Sequence, residues 1–131
     1  MIKEFLFHGK TVEELKKMED KDLVLLLKSR ARRALKKGFT AQQKKFILKM
    51  DQKLKGTYKK NLKTHCRELI ILPKMVGLEI HIHNGKGFTP LLVMPEMIGH
   101  RLGEFAATRS MVKHNAPGVG ATKSSTAIQA K

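Results

Sequence analysis

The sequence predicts an α+β fold: a small three-stranded sheet packed with short helices, a helical extension before it and a basic extended tail behind it. Three observations predict this. Two capping boxes, Thr11 with Glu14 and Thr40 with Gln43, open segments whose apolar residues recur at helical spacing. Leu78, Ile80 and Ile82 alternate with Glu79, His81 and His83 ahead of Asn84-Gly85, the pattern of a half-buried strand entering a tight hairpin. After Arg109 no acidic residue remains, and the small and turn-forming residues there carry no apolar period. The 131 residues therefore divide into a helical basic extension (1–64), an α+β core (65–114) and a flexible basic tail (115–131).

The elements follow in chain order. Thr11 starts a first helix that places Leu15 and Met18 on one face. Asp20 can cap a second, in which Leu23, Leu26, Leu27, Ala31 and Ala34 share a side and Gly38 supplies a left-handed stop, so one helix is predicted from about Lys21 to Lys37. Thr40 starts a third, with Phe46, Ile47, Met50 and Leu54 on one side and an end near Gly56. Thr57 to Arg67 is polar and has no clear period, which suggests an extended strap.

Leu69-Ile70-Ile71-Leu72, stopped by Pro73, reads as a short buried strand, the first of three. The hairpin supplies the other two, probed by Pro90, which lacks a backbone donor and confines its strand to a sheet edge or to a start beyond it. Pro95 and Glu96 suit the first turn of a short helix. Met97, Ile98 and Leu102 can then cover the sheet, while Gly99 and Gly103 break the helix into short pieces.

Charge narrows the function. Lys and Arg number 27 against 11 acidic residues, a formal net charge of +16. Residues 1–27 hold five Lys against six acids, and residues 68–131 hold seven Lys or Arg against four. Residues 28–67 hold fifteen against Asp51 alone, so one central belt carries almost all of the imbalance. Such a belt repels itself unless a polyanion is present.

No run approaches the roughly 18 apolar residues that span a bilayer, and Met1-Ile2-Lys3-Glu4 does not open a secretory leader, so a soluble intracellular protein is expected. A single Cys66 excludes an intramolecular disulfide and a thiolate-pair zinc site, consistent with a reducing cytoplasm. With no Trp, one Tyr and six Phe, the chain is poorly equipped to stack successive single-stranded bases, which makes shape and phosphates the expected targets.

On the second helix Lys28, Arg32 and Lys36 lie four apart, with Arg33 and Lys37 on the next stripe. Cations there complement the helix dipole, but one or two suffice for that. Lys45, Lys49 and Lys53 stripe the third helix; a solvated face is the ordinary reading of such a stripe, yet only Asp51 offsets its surroundings.

Catalytic and metal chemistry find little support. His81 and His83 share a strand face with Glu79, but His65, Cys66 and His100 sit on separate segments without ligand-pair spacing, so no metal or cofactor is expected. Lys86-Gly87-Phe88 resembles the opening of an RNP1 signature, yet Pro90 replaces a ladder residue and the further aromatics are missing. Gly85 and Gly87 are not followed by the Lys-Ser/Thr of a phosphate loop. Ser110, His100 and Glu104 lie in one short segment without an activating context, so no enzyme is expected.

The run Ile82-His83-Asn84-Gly85, then Pro90, then Met97-Ile98-Gly99-His100-Arg101-Leu102-Gly103-Glu104-Phe105-Ala106 with Thr108 and Arg109 resembles the signature of the universal small-subunit ribosomal protein nineteen family. Phe5-Leu6-Phe7-His8-Gly9, the Arg30 to Leu35 run and Ala116-Pro117-Gly118-Val119-Gly120-Ala121-Thr122 resemble its archaeal and eukaryotic members. Lys28-Ser29 stands in place of a proline-containing approach to the arginine run, and is expected to lengthen the helix rather than break it. The resemblance implies a structural constituent of the small-subunit head that binds the 3′ major domain of small-subunit rRNA. It also implies pairing with small-subunit ribosomal protein thirteen, and a tail that extends toward the decoding region and tRNA.

The RNA-binding residues expected on this reading are Arg30, Arg32, Arg33, Lys36 and Lys37 as phosphate neutralisers, with Arg67, Lys74 and Lys113 beside them. Asn84, Lys86, His100, Arg101 and Arg109 are expected to fix register against folded RNA. The competing reading is a general basic DNA- or nucleic-acid-binding protein, which the basic helix alone would permit.

Overall fold

In a computed structural model, residues 4–112 are described and form four α-helices and a three-stranded mixed sheet. The helices are α1 (Val12–Lys17), α2 (Asp20–Leu26), α3 (Ser29–Lys37) and α4 (Ala41–Leu54); the strands are β1 (Leu62–Thr64), β2 (Glu79–His83) and β3 (Phe88–Leu92). Three short 3₁₀ turns, Pro73–Met75, Pro95–Met97 and Leu102–Phe105, complete the fold. The expected tail, with Lys113, lies outside the described residues.

Both capping boxes form. Thr11 accepts from the Glu14 amide while Glu14 reaches back to the Thr11 amide, and Thr40 and Gln43 repeat the arrangement at α4. Ahead of α1, Phe7 and Lys10 bond in both directions across His8 and Gly9, whose φ values of 49° and 77° are the positive pair a tight reversing turn needs.

The single helix expected from Lys21 to Lys37 is two. Leu27 and Lys28 are extended, with ψ of 157° and 155°, and they redirect the chain between α2 and α3. Asp20 is the first helical residue rather than the cap, which is Glu19. The break is tolerated because Arg32 supplies replacement donors: its Nε meets the Val24 carbonyl at 3.3 Å, and its Nη2 meets those of Leu25 and Leu27 at 3.0 and 3.2 Å. The redirected α3 lays Ala31 on Ile70, while Leu23 stays in the main core. Lys28-Ser29 therefore marks a boundary, contrary to the lengthening expected of it.

The sheet runs β1-β2-β3, with β1 parallel to β2 and β2 antiparallel to β3. Its first strand is not Leu69–Leu72, as expected, but Leu62–Thr64 within the segment taken for a strap. Leu62 and Thr64 are buried and Lys63 is exposed, a strand alternation too short to register as a period. Leu69 to Leu72 are all buried and bond instead to the later turns: Ile71 N–H donates to His100 O (2.8 Å), Gly99 N–H to Ile71 O (3.1 Å) and Leu102 N–H to Leu69 O (3.0 Å). Pro90 does sit on an edge strand, opposite His81.

One core joins the helices to the sheet. Leu15, Leu23, Phe46 and Met50 from the helices pack with Leu62, Ile71, Met75, Ile80, Ile82 and Leu102. Ile98 and Leu102 cover the sheet as expected, and burying each such side chain contributes ~1.5–3 kcal/mol.

Candidate nucleic-acid interface

Strand and helix geometry decide which cations face out. On α3, Ala31 is buried and Leu35 half-buried, which leaves Arg30, Arg33, Lys36 and Lys37 exposed on the opposite side. Among the described residues no Lys or Arg forms an ion pair; the pairs present are His81 with Glu79 (3.2 Å) and His100 with Glu104 (2.8 Å). The cationic belt is thus uncompensated within the described fold.

Arg30 and the turn at 99–104 meet across a groove of about 510 Å³. Phe7, Leu27, Ala31 and Ile98 contribute its apolar lining, and Lys28, Arg30 and Arg101 its cations, with His100, Glu96 and Glu104 also present. Arg101 additionally borders a hollow with Lys37 and Gln43, so Arg30, Arg101 and Lys37 belong to one continuous surface. Folding brings together residues about 70 apart in sequence, because Ile70 forms a bridge with Arg101 and packs on Ala31. His100 is held in place by Glu104 at 2.8 Å, with Phe105 edge-on to its ring at 6.0 Å.

The remaining expected residues divide. Arg67 is turned inward: Nη1 donates to His83 O at 2.7 Å, and Nη2 to Gly103 O at 2.8 Å and to Ala106 O. Its own carbonyl accepts from Gly103 N–H at 2.9 Å, so Arg67 locks β2 to the last turn. Arg32 is similarly engaged by the carbonyls of α2. Asn84 shapes the hairpin, with Oδ1 accepting from the amides of Lys86 (3.0 Å) and Gly87 (2.9 Å), and thereby presents the exposed Lys86. Lys74 lies apart, beside Met18, Glu19 and Asp20. Arg109 is exposed beyond the last turn, and Lys113 falls outside the described residues.

A second cationic surface joins the expected lysine stripe of α4 to the basic segment expected as a strap. Lys45 and Lys49 of α4 face Lys63 and His65 of the β1 segment across a trough of about 270 Å³, which adjoins a hollow lined by Tyr58 and Lys60. The lysine stripe of α4 was visible in the sequence, but nothing local said that Lys63 of β1 and His65 just after it would lie beside it. Among the described residues no three His, Cys, Asp or Glu side chains converge as metal ligands. No described helix is long and apolar enough to cross a membrane.

A family model described as ribosomal protein S19 matches residues 33–114, more than half of the chain. The match begins within α3 and takes in the trough, the hairpin and the turns at 95–105.

Proposed function

Since the chain belongs to the ribosomal protein S19 family, we propose that it is a structural component of the small-subunit head that binds the 3′ major domain of small-subunit rRNA. Family membership makes it an RNA-binding small-subunit protein of the cytoplasmic ribosome that serves in translation, a structural rather than enzymatic kind of protein. The observation that carries the finer reading is the exposed, unpaired set Arg30, Arg33, Lys36 and Lys37 joined through Arg101 to the groove at His100. A surface built from two distant segments has a fixed shape, and folded RNA is recognised by shape and backbone more than by sequence.

In this reading the exposed cations of α3 neutralise phosphates, Lys86, Arg101, His100 and Arg109 set register, and Arg32, Arg67 and Asn84 hold the surfaces that do so. Small-subunit ribosomal protein thirteen is the proposed neighbour, and the tail (115–131) is proposed to extend toward the decoding region and tRNA. The N-terminal half is proposed to be of the archaeal and eukaryotic type.

Filter binding of the full chain to a 3′-domain rRNA transcript and to random duplex DNA tests this. With about six to ten phosphates engaged, affinity for the transcript falls ~10³- to 10⁵-fold between 50 and 200 mM salt, by analogy with duplex DNA, and exceeds that for DNA throughout. Equal affinity for both would favour a general nucleic-acid binder; a salt-independent affinity would overturn the phosphate reading.

A further inference from the structure

Three rings from three strand segments meet on the open face of the sheet. Leu62, Thr64, Ile80 and Ile82 point into the core, so the alternate positions Lys63, His65, His81 and His83 point out. At the hairpin end of that face the His65 and His83 rings lie 4.4 Å apart with a 32° tilt. Phe88 meets them edge-on, at 5.3 and 5.1 Å. Lys63 Nζ stands 5.3 Å from the centre of the Phe88 ring. His65 is exposed and Phe88 is 36% exposed, so the cluster presents aromatic surface that the core does not use.

The same strand end borders the trough between α4 and β1. Lys63 and His65 line it together with Lys45 and Lys49, and the adjoining hollow adds Lys60. Among the described residues no Asp or Glu lines either depression. Glu79 is at the far end of the outward face, beside His81 rather than beside the rings. Flat aromatic surface at one end of an acid-free row of lysines matches one ligand chemistry: a planar base on a phosphate chain.

We propose that the α4–β1 trough takes the phosphates of an RNA strand and that one unpaired base of that strand stacks on His65 with Phe88 against its edge. The proposal rests on the RNA-binding reading above and specifies the RNA element it needs. Bases inside an A-form duplex are covered by their neighbours, and side chains cannot enter its deep, narrow major groove; a loop or bulge frees a base. The ring cluster is thus a second contact region, separate from the α3–Arg101 surface and built from residues of the opposite kind.

The test uses the full chain and a small-subunit rRNA transcript. His65→Ala and Phe88→Ala are expected to weaken binding about 5- to 150-fold each, with the salt slope unchanged, because stacking releases no counterions. Lys45→Gln with Lys49→Gln is expected to lower the slope instead, by about 1.4–1.8 for two phosphates. Phe88→Leu keeps the apolar bulk and so separates stacking from folding; it should bind more weakly than the parent at an unchanged melting temperature. Ultraviolet cross-linking should join His65 or Phe88 to a nucleotide that is unpaired in the transcript. Parent-like binding by both ring variants, or a cross-link only to paired nucleotides, would overturn the base subsite while leaving the rRNA reading intact. Failure of the parent chain to prefer rRNA over duplex DNA would instead overturn the reading beneath it.

Discussion

The arginines of α3 and Arg67 carry the same charge in two different regions and do opposite jobs. Arg30 and Arg33 project from α3 into solvent, and among the described residues neither is held by a carbonyl or a carboxylate. Arg67 follows β1, where the chain crosses to the last turn, and three carbonyls use its donors from within. Arg32 stands between the two, on α3 but turned back to cap α2. The difference teaches that a cation in a basic belt is available to a polyanion only where no carbonyl of the fold lies within reach to capture its donors. Free carbonyls are the competitor, and they are found where regular structure ends.

That contrast can be broken most directly at Arg67. Arg67→Ala leaves the His83, Gly103 and Ala106 carbonyls without their donor, and hydrogen bonds to charged groups contribute ~1.5–3 kcal/mol each without being additive. Stability is expected to fall by about 2–4 kcal/mol, read as a lower urea midpoint. An unchanged midpoint would return Arg67 to the set of free cations.

Gly103 sharpens the same junction from the other side. A Cβ there would lie 3.0 Å from both the Arg67 Cβ and the Arg67 carbonyl oxygen, tighter than most Cβ contacts, so the Arg67 segment would have to shift. Gly103→Ala is expected to cost about 1–3 kcal/mol as the two segments are pushed apart, measured by the same unfolding curves. The smallest effects separate Arg32 from Arg33. Arg32→Gln should lower stability by about 1 kcal/mol through the lost α2 cap, whereas Arg33→Gln should stay within about 0.5 kcal/mol. Salt titrations with rRNA should reverse the order, with Arg33→Gln reducing the slope by about 1 and Arg32→Gln by less.

Local chemistry was legible wherever a few neighbouring residues decide the outcome. Thr11 with Glu14 and Thr40 with Gln43 give the starts of α1 and α4, and Asn84-Gly85 gives the hairpin. Pro90 gives the edge, because a missing N–H has the same meaning in any fold. The helix break at Leu27 was illegible for the converse reason: apolar spacing continues straight through it, and the donor that makes it tolerable comes from Arg32, five residues onward. Of the expected contact residues, Arg30, Arg101 and Lys37 prove to share one surface, while Arg32 and Arg67 are occupied elsewhere. Lys45, Lys49, Lys63 and His65 were readable as charges and rings but not as neighbours.

By itself, then, the sequence determined the α+β class, the starts of α1 and α4, the hairpin and the concentration of positive charge in residues 28–67, since each depends on residue type and short spacing. Tertiary structure alone decided that Leu62–Thr64 rather than Leu69–Leu72 joins the sheet. It also decided which cations stay free and which rings meet. Parallel pairing and carbonyl capture join residues far apart in the chain, and such choices are made by the packing of the whole core rather than by any local preference.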